Sequence, residues 1–248
     1  MPMTTAAKTE FTWRSAAATS QGNVRAHNED SILELPAVGL WAVADGMGGH
    51  NAGDVASRMI VEALCGIHRT QRPSELLDAV EDRLYAVNAQ LFKASSEGAG
   101  GMSGSTVVAL LAFERHCLCL WAGDSRVYRS RTGSFTCITR DHSEVQAMLD
   151  EGVLNPAQAA RHSAQNVITR AVGGARELHL DLELRALRDK DRYLLCSDGL
   201  YKELTDTELA EGVAGNTPDE ACKTLLKRCL ARTCSDNVSA VVVQFSAR

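Results

Sequence analysis

Five aspartates in this chain share one setting, a strand end or turn with glycine or a small polar residue beside them. They are Asp30 in Arg25-Ala26-His27-Asn28-Glu29-Asp30, Asp45 in Ala44-Asp45-Gly46-Met47-Gly48-Gly49 and Asp124 in Gly123-Asp124-Ser125-Arg126. Asp198 in Ser197-Asp198-Gly199 and Asp236 in Ser235-Asp236-Asn237 complete the set. Taken singly, each is more often a turn former, and Asp-Gly is also a common hairpin signal. Taken together they offer more, because sheet topology can bring strand ends to one place. A carboxylate set without histidine selects hard cations, Mg²⁺ or Mn²⁺, over zinc.

Periodicity indicates the elements that must hold these residues. Residues 40–44, Leu-Trp-Ala-Val-Ala, read as a strand covered on both faces, since none is polar, with Asp45 where the strand stops. Residues 11–19 and 31–35 read as earlier strands, with the polar hexapeptide as a loop between them. Ala52, Val55, Ala56, Met59, Ile60, Ala63 and Leu64 recur at helical spacing and predict a helix over 51–67. Pro73 opens a second, striped by Leu77, Val80, Leu84, Val87 and Leu91. Both are amphipathic and should each cover a sheet face. Residues 105–113 with 117–122, and 126–130 with 134–138, read as hairpins. Over about 143–174 the chain leaves the sheets, with short helices at Val145 and Pro156, as lids and specificity elements do. Strands return at 178–187, 193–196 and 238–245, with a helix over 218–231 before the last.

Strands and helices in blocks predict an α+β fold. The expected form is two stacked, mostly antiparallel β-sheets, a β-sandwich, flanked by helix pairs and carrying a flap over about 143–174. Residues 1–10 read as a loose arm and 11–248 as one domain.

Composition narrows the classes. The chain has 248 residues, 45% hydrophobic, and a net charge of -5 with scattered Lys and Arg, unlike a nucleic-acid-binding surface. The first ten residues lack a signal-peptide core and no later run approaches a membrane span, so a cytoplasmic protein is expected. Eight cysteines without a C-x-x-C pair sit mostly in apolar segments and read as small buried hydrophobes.

In order, Arg25-x-x-Asn28-Glu29-Asp30, Asp45-Gly46-Met47-Gly48-Gly49, Gly104-Ser105-Thr106, Gly123-Asp124-Ser125-Arg126, Asp141-His142-Ser143, Ser197-Asp198-Gly199 and Asp236-Asn237 resemble the successive signatures of the metal-dependent (type 2C) serine/threonine protein phosphatases. The likeness runs from about 22 to 243, and Asn166-Val-Ile-Thr-Arg-Ala-Val-Gly173 is similar to the flap end of the compact bacterial members. The resemblance implies that Asp45 bridges two metals, that the Gly46 carbonyl ligates the first, and that Asp198 and Asp236 complete the second. Asp124, with Asp198, would hold a weaker third. Glu29 and Asp30 would bind metal-coordinated waters, Arg25 the substrate phosphate, and Asn237 would support the loop around Asp236. The implied catalytic set is Arg25, Glu29, Asp30 and Asp45.

The implied activity is hydrolysis of phosphoserine and phosphothreonine in phosphoproteins by a water activated between two Mn²⁺ or Mg²⁺ ions, without a phosphoenzyme. Such a protein would be a monomer countering a serine/threonine kinase in signal transduction, with no nucleic-acid or membrane partner. One position departs from the pattern. Many eukaryotic relatives carry a proton-donating histidine after Asp-Gly; here Met47 stands there, His50 reads as part of the next helix, and metal-bound water is the expected donor. His27 reads as solvated, His142 as a cap for the following helix, Arg126 as a strand residue, and Ser105 and Ser197 as satisfying backbone groups. Two competitors stay open: a non-catalytic binding module on this fold, and a metallohydrolase acting on a small phosphate ester or diester.

Overall fold

The apolar run at 40–44 forms the first half of strand β3 (Leu40–Gly48), and its side chains alternate between two cores. Leu40, Ala42 and Ala44 face a helix layer, whereas Trp41 and Val43 face the opposite sheet. That alternation explains why the run has no polar residue. The computed structural model describes residues 10–48, 52–70, 72–98, 103–215 and 217–248. The arm expected over 1–10, apart from Glu10, lies outside them, as do Gly49, His50 and Asn51.

One sheet runs β1 (Phe11–Ser20), β11 (Val238–Ala247), β10 (Arg192–Cys196), β7 (Arg126–Arg131), β8 (Ser134–Cys137). The other runs β2 (Asp30–Leu35), β3, β5 (Val107–Phe113), β6 (His116–Ala122), β9 (Asp181–Ala186), with β4 (Ser103–Ser105) added to β3. The pairings among these strands are antiparallel. Helices α1 (Ala52–Cys65) and α2 (Pro73–Ser96) bury Ile60, Leu64, Val80, Leu84 and Leu91 against the second sheet. Helices α6 (Asp206–Val213) and α7 (Pro218–Leu230) bury Leu209, Val213 and Leu225 against the first. The result is the expected sandwich between helix pairs. Helices α3 (Glu144–Asp150) and α4 (Pro156–Ala159) lie in the 143–174 excursion, and α5 (Asp198–Tyr201) follows β10.

Two local expectations change. β3 does not stop at Asp45: it pairs with β5 only to Val43, and from Gly46 it takes β4 as a new partner. Asp45 therefore sits at a change of partners inside a strand, which is a stiffer mount than a turn. Helix α6 has no counterpart in the sequence reading, although Thr205-x-x-Glu208 forms a capping box at its start. Six cysteines are buried, as expected, while Cys65 and Cys137 are exposed; all eight are free.

Trp41, fully buried between the sheets, meets the ring of Trp13 edge-on at 5.9 Å and that of Phe245 at 6.4 Å. Its indole N–H has no partner among the described residues. Trp41→Ala should therefore cost about 3–5 kcal/mol in urea unfolding, and Trp41→Phe less than half as much. An alanine variant within about 1 kcal/mol of wild type would show that the inter-sheet core does not depend on this ring.

Candidate active site

The strand register sets the electrostatic problem. Asp30, the first residue of β2, pairs directly across from Asp45 on β3, a like-charge arrangement that sheets normally avoid. Asp30 is buried; its Oδ2 accepts 2.7 Å hydrogen bonds from the hydroxyls of Ser197 and Ser239, and its Oδ1 has no partner among the described residues. Burial pushes its carboxyl up to about 7, opposed by the two hydroxyls and reinforced by repulsion from Asp198 and Asp236. Asp45 is driven well above the usual carboxylate range, first by burial and then by Asp30, Asp198, Asp124 and Asp236. Burial and Asp198 lift Asp124 to about 6, against the pull of Lys202. The five aspartates of the sequence reading thus share one small region.

Backbone contacts fix each of them. Thr106 clamps Asp45: its hydroxyl accepts from the Asp45 N–H at 3.1 Å, and its own N–H donates to the Asp45 carbonyl at 2.9 Å. Ser105 adds a hydroxyl to that carbonyl at 3.0 Å. The Gly46 N–H donates to the Glu29 carbonyl at 3.1 Å, and a Cβ at Gly46 would collide with the Gly53 carbonyl, so only glycine fits. Asn237 does more than support its own loop. Its Oδ1 accepts from the Glu29 N–H at 2.8 Å, and its Nδ2 donates to the carbonyls of Gln21 and His27 at 3.0 and 2.9 Å. It thereby pins the polar hexapeptide to the start of β11.

A cavity of about 250 Å³ opens over these residues, lined by Arg25, Glu29, Asp45, Gly46, Asp124, Asp198, Asp236 and Asn237. Asp30 alone of the expected set lies beneath it, behind Ser197 and Ser239. Met47 on β3, and Asn166 and Ile168 from the flap, complete the wall. Arg25, about half exposed, reaches Asp236 at 2.8 Å. A second cavity of about 590 Å³ adjoins the first between the flap and α5, and the two share Asn166, Asp198 and Asp236.

His142 neither caps a helix nor enters the cavity. Ser143 is the cap of α3, while His142 stacks on Trp121, accepts from the Gly123 N–H at 3.1 Å and lies 3.2 Å from Asp181. It bolts the flap base to the turn that carries Asp124. Arg126 forms two hydrogen bonds with Asp141 and lies 3.7 Å over the Tyr201 ring, a structural role as expected. His27 is exposed. Lys202 and Tyr201 carry no motif in the sequence, yet Lys202 Nζ lies 2.5 Å from Asp198, and the Tyr201 hydroxyl donates to the Asp124 carbonyl at 3.0 Å. Their only signal is the i,i+4 spacing from Asp198 to Lys202.

The donor set fits hard divalent cations. Among the described residues no three acidic, His or Cys side chains already form a closed ligand cage; Asp236 meets Arg25 and Asp198 meets Lys202 instead. The carboxylates are all-oxygen donors, they repel one another, and Asp30 Oδ1 is buried without a partner. Positive charge of high density offsets that cost.

Fold and site together define an α+β sandwich with a carboxylate centre, and comparison with known proteins supplies its family. A family model described as protein phosphatase 2C matches residues 19–231. The serine/threonine protein phosphatase PstP of Mycobacterium tuberculosis is 35% identical over 241 residues, 95% of this chain and 46% of that one. The chain thus spans about half the length of these mycobacterial relatives. The serine/threonine phosphatase stp of Listeria monocytogenes is 30% identical, over 91% of this chain and 93% of its own. Among solved structures, PppA, described as a key regulatory component of T6SS in Pseudomonas aeruginosa, superposes with a TM-score of 0.89 at 39% identity, covering 97% of this chain and 100% of that one. The catalytic domain of PstP, solved in complex with two manganese ions, gives a TM-score of 0.86 at 34% identity, over 95% and 99% of the two chains. The chain belongs to the protein phosphatase 2C family.

The raised carboxyls set the pH dependence of stability. Unfolded, they titrate near 4, so the folded chain holds extra protons between about pH 4 and 7, and its stability falls as pH rises through that window. In EDTA the melting temperature should therefore drop between about pH 4 and 7. Saturating Mn²⁺ should remove most of the drop, and Asp30→Asn should make it shallower. A melting temperature that rises over this range in EDTA would contradict the assignment.

Proposed function

We propose that this chain is a protein-serine/threonine phosphatase, a phosphoric monoester hydrolase that uses Mn²⁺ or Mg²⁺. The observation that carries the reading is the convergence of five mutually repelling aspartates, four of them lining one cavity and Asp30 beneath it, with an arginine at the rim. Asp45, the Gly46 carbonyl, Asp198 and Asp236 would hold two ions. When bound, such ions lower the pKa of a water and offset charge on the phosphoryl oxygens. The demand is large, since phosphate-monoester hydrolysis needs acceleration of up to ~10²¹-fold.

The chain's own residues supply position. Arg25 spends one of five N–H donors on Asp236, and its fork can receive two phosphate oxygens. Glu29 and Asp30 would accept hydrogen bonds from waters beside the cavity, with Asn237 fixing the Glu29 backbone. Met47 faces the cavity but carries no proton to give, so the leaving serine oxygen takes its proton from water. His50, the other candidate acid, lies outside the described residues.

On this reading residues 11–248 are one catalytic domain, with 143–174 as a flap beside the larger cavity that could accommodate a peptide. The substrates are phosphoproteins, and the setting is bacterial signal transduction in the cytoplasm, where a monomer counters a serine/threonine kinase. Among the described residues no helix is long and apolar enough to cross a membrane.

The test is phosphate release from a phosphothreonine peptide, a nucleotide and a phosphodiester, each with and without Mn²⁺. Peptide turnover that requires Mn²⁺ and stops in EDTA is expected; preferential turnover of the nucleotide or diester, or indifference to EDTA, would sink the reading. Asp45→Asn and Asp236→Asn should each retain less than about a tenth of activity while still folding. Arg25→Ala should lower kcat/KM by about tenfold or more, with Arg25→Lys only a partial rescue because a point charge lacks the fork. Unchanged kcat and KM in both arginine variants would assign the phosphate to another cation.

A further inference from the structure

Asp124 and Asp198 are neighbours that repel each other, their side chains only 7% and 16% exposed. One cation already serves both. Lys202, one turn beyond Asp198 at the C-cap of α5, places its ammonium 2.5 Å from Asp198 Oδ2 and 3.9 Å from Asp124 Oδ2. A third contact fixes it there: Nζ donates to Asn166 Oδ1 of the flap at 2.8 Å. The four-carbon stem is held as well, since two-thirds of the side chain is covered. On the far side the Tyr201 hydroxyl, donating to the Asp124 carbonyl, also lies 3.4 Å from Asp124 Oδ2. An ammonium is a compact point charge with three donors, and here two of them are spent on Asp198 and Asn166 while the charge stays within ion-pair distance of Asp124.

We propose that Lys202 is a built-in cation occupying the place between Asp124 and Asp198, so that this chain takes up two divalent ions, at Asp45, Asp198 and Asp236, and excludes a third. The proposal rests on the metal reading above. It also gives Asn166 a role, because the same ammonium that neutralises the aspartates ties the flap to α5. A divalent ion entering between Asp124 and Asp198 would have to expel the ammonium from 2.5 Å of Asp198 or sit beside a like charge, and either raises its dissociation constant.

The experiment is Mn²⁺ binding to chelator-stripped protein, by calorimetric titration and by metal analysis after equilibrium dialysis at about millimolar Mn²⁺, where carboxylate sites of low affinity fill. Wild type should hold two ions. Lys202→Met, which keeps the length of the side chain and removes its charge, should hold a third under the same conditions. Lys202→Arg should stay at two because the charge remains. Asn166→Ala should also stay at two, which separates charge from flap anchoring. A third ion in wild type, or equal stoichiometry in wild type and a Lys202→Met protein with a cooperative melt, would overturn the proposal. Failure of wild type to bind any Mn²⁺ would instead overturn the metal reading beneath it. The wild-type count decides the matter even if Lys202→Met does not fold.

Discussion

Repulsion among aspartates is the constraint on which the site depends. Asp30 and Asp45 face each other across a strand pair, and Asp124, Asp198 and Asp236 add their charges from the turns and strand ends nearby. No isolated loop could hold five carboxylates in that arrangement against their own field. The two-sheet sandwich can, because Asp45 is mounted inside β3 and locked by Thr106, and Asp30 is wedged between two serines. The apolar cores on both faces of β3 supply the stiffness that the polar end requires.

The cationic side chains beside the carboxylates answer the same field in different ways. Arg25 stands at the rim, about half exposed, on Asp236. Lys202 sits deeper, between Asp124, Asp198 and the flap. The flap is tied down at both ends of its path: His142 and Trp121 at the base, and the bridge from Val172 to Ser105 at its return to the sheet. The larger cavity beneath it therefore has one wall set by the flap and another set by the carboxylate centre.

Much of this was legible in the sequence because the informative features were local. An unbroken apolar run as short as 40–44, closed by glycines, reads as a strand covered on both faces, and a helical stripe such as Leu77 to Leu91 reads as a helix with one buried face. The site residues announced themselves through small neighbours, and eight of the nine line one cavity. What stayed hidden depends on distant pairing. The extension of β3 past Asp45 requires β4, some sixty residues on, to supply new hydrogen bonds. His142 is occupied by Trp121, Gly123 and Asp181, none of which is legible from its own neighbours in sequence. Lys202 looks like any exposed helical lysine until α5 turns it toward Asp124 and the flap supplies Asn166.

The claim at the centre of this account is that divalent cations resolve the repulsion, with Asp45 shared between two of them. Anomalous diffraction at the manganese edge from crystals grown with Mn²⁺ tests it directly. Two peaks roughly 3.5–4 Å apart, both within bonding distance of Asp45, are the predicted result. A map with no peak among Asp45, Asp198 and Asp236, or with a single peak that Asp45 does not touch, would contradict it.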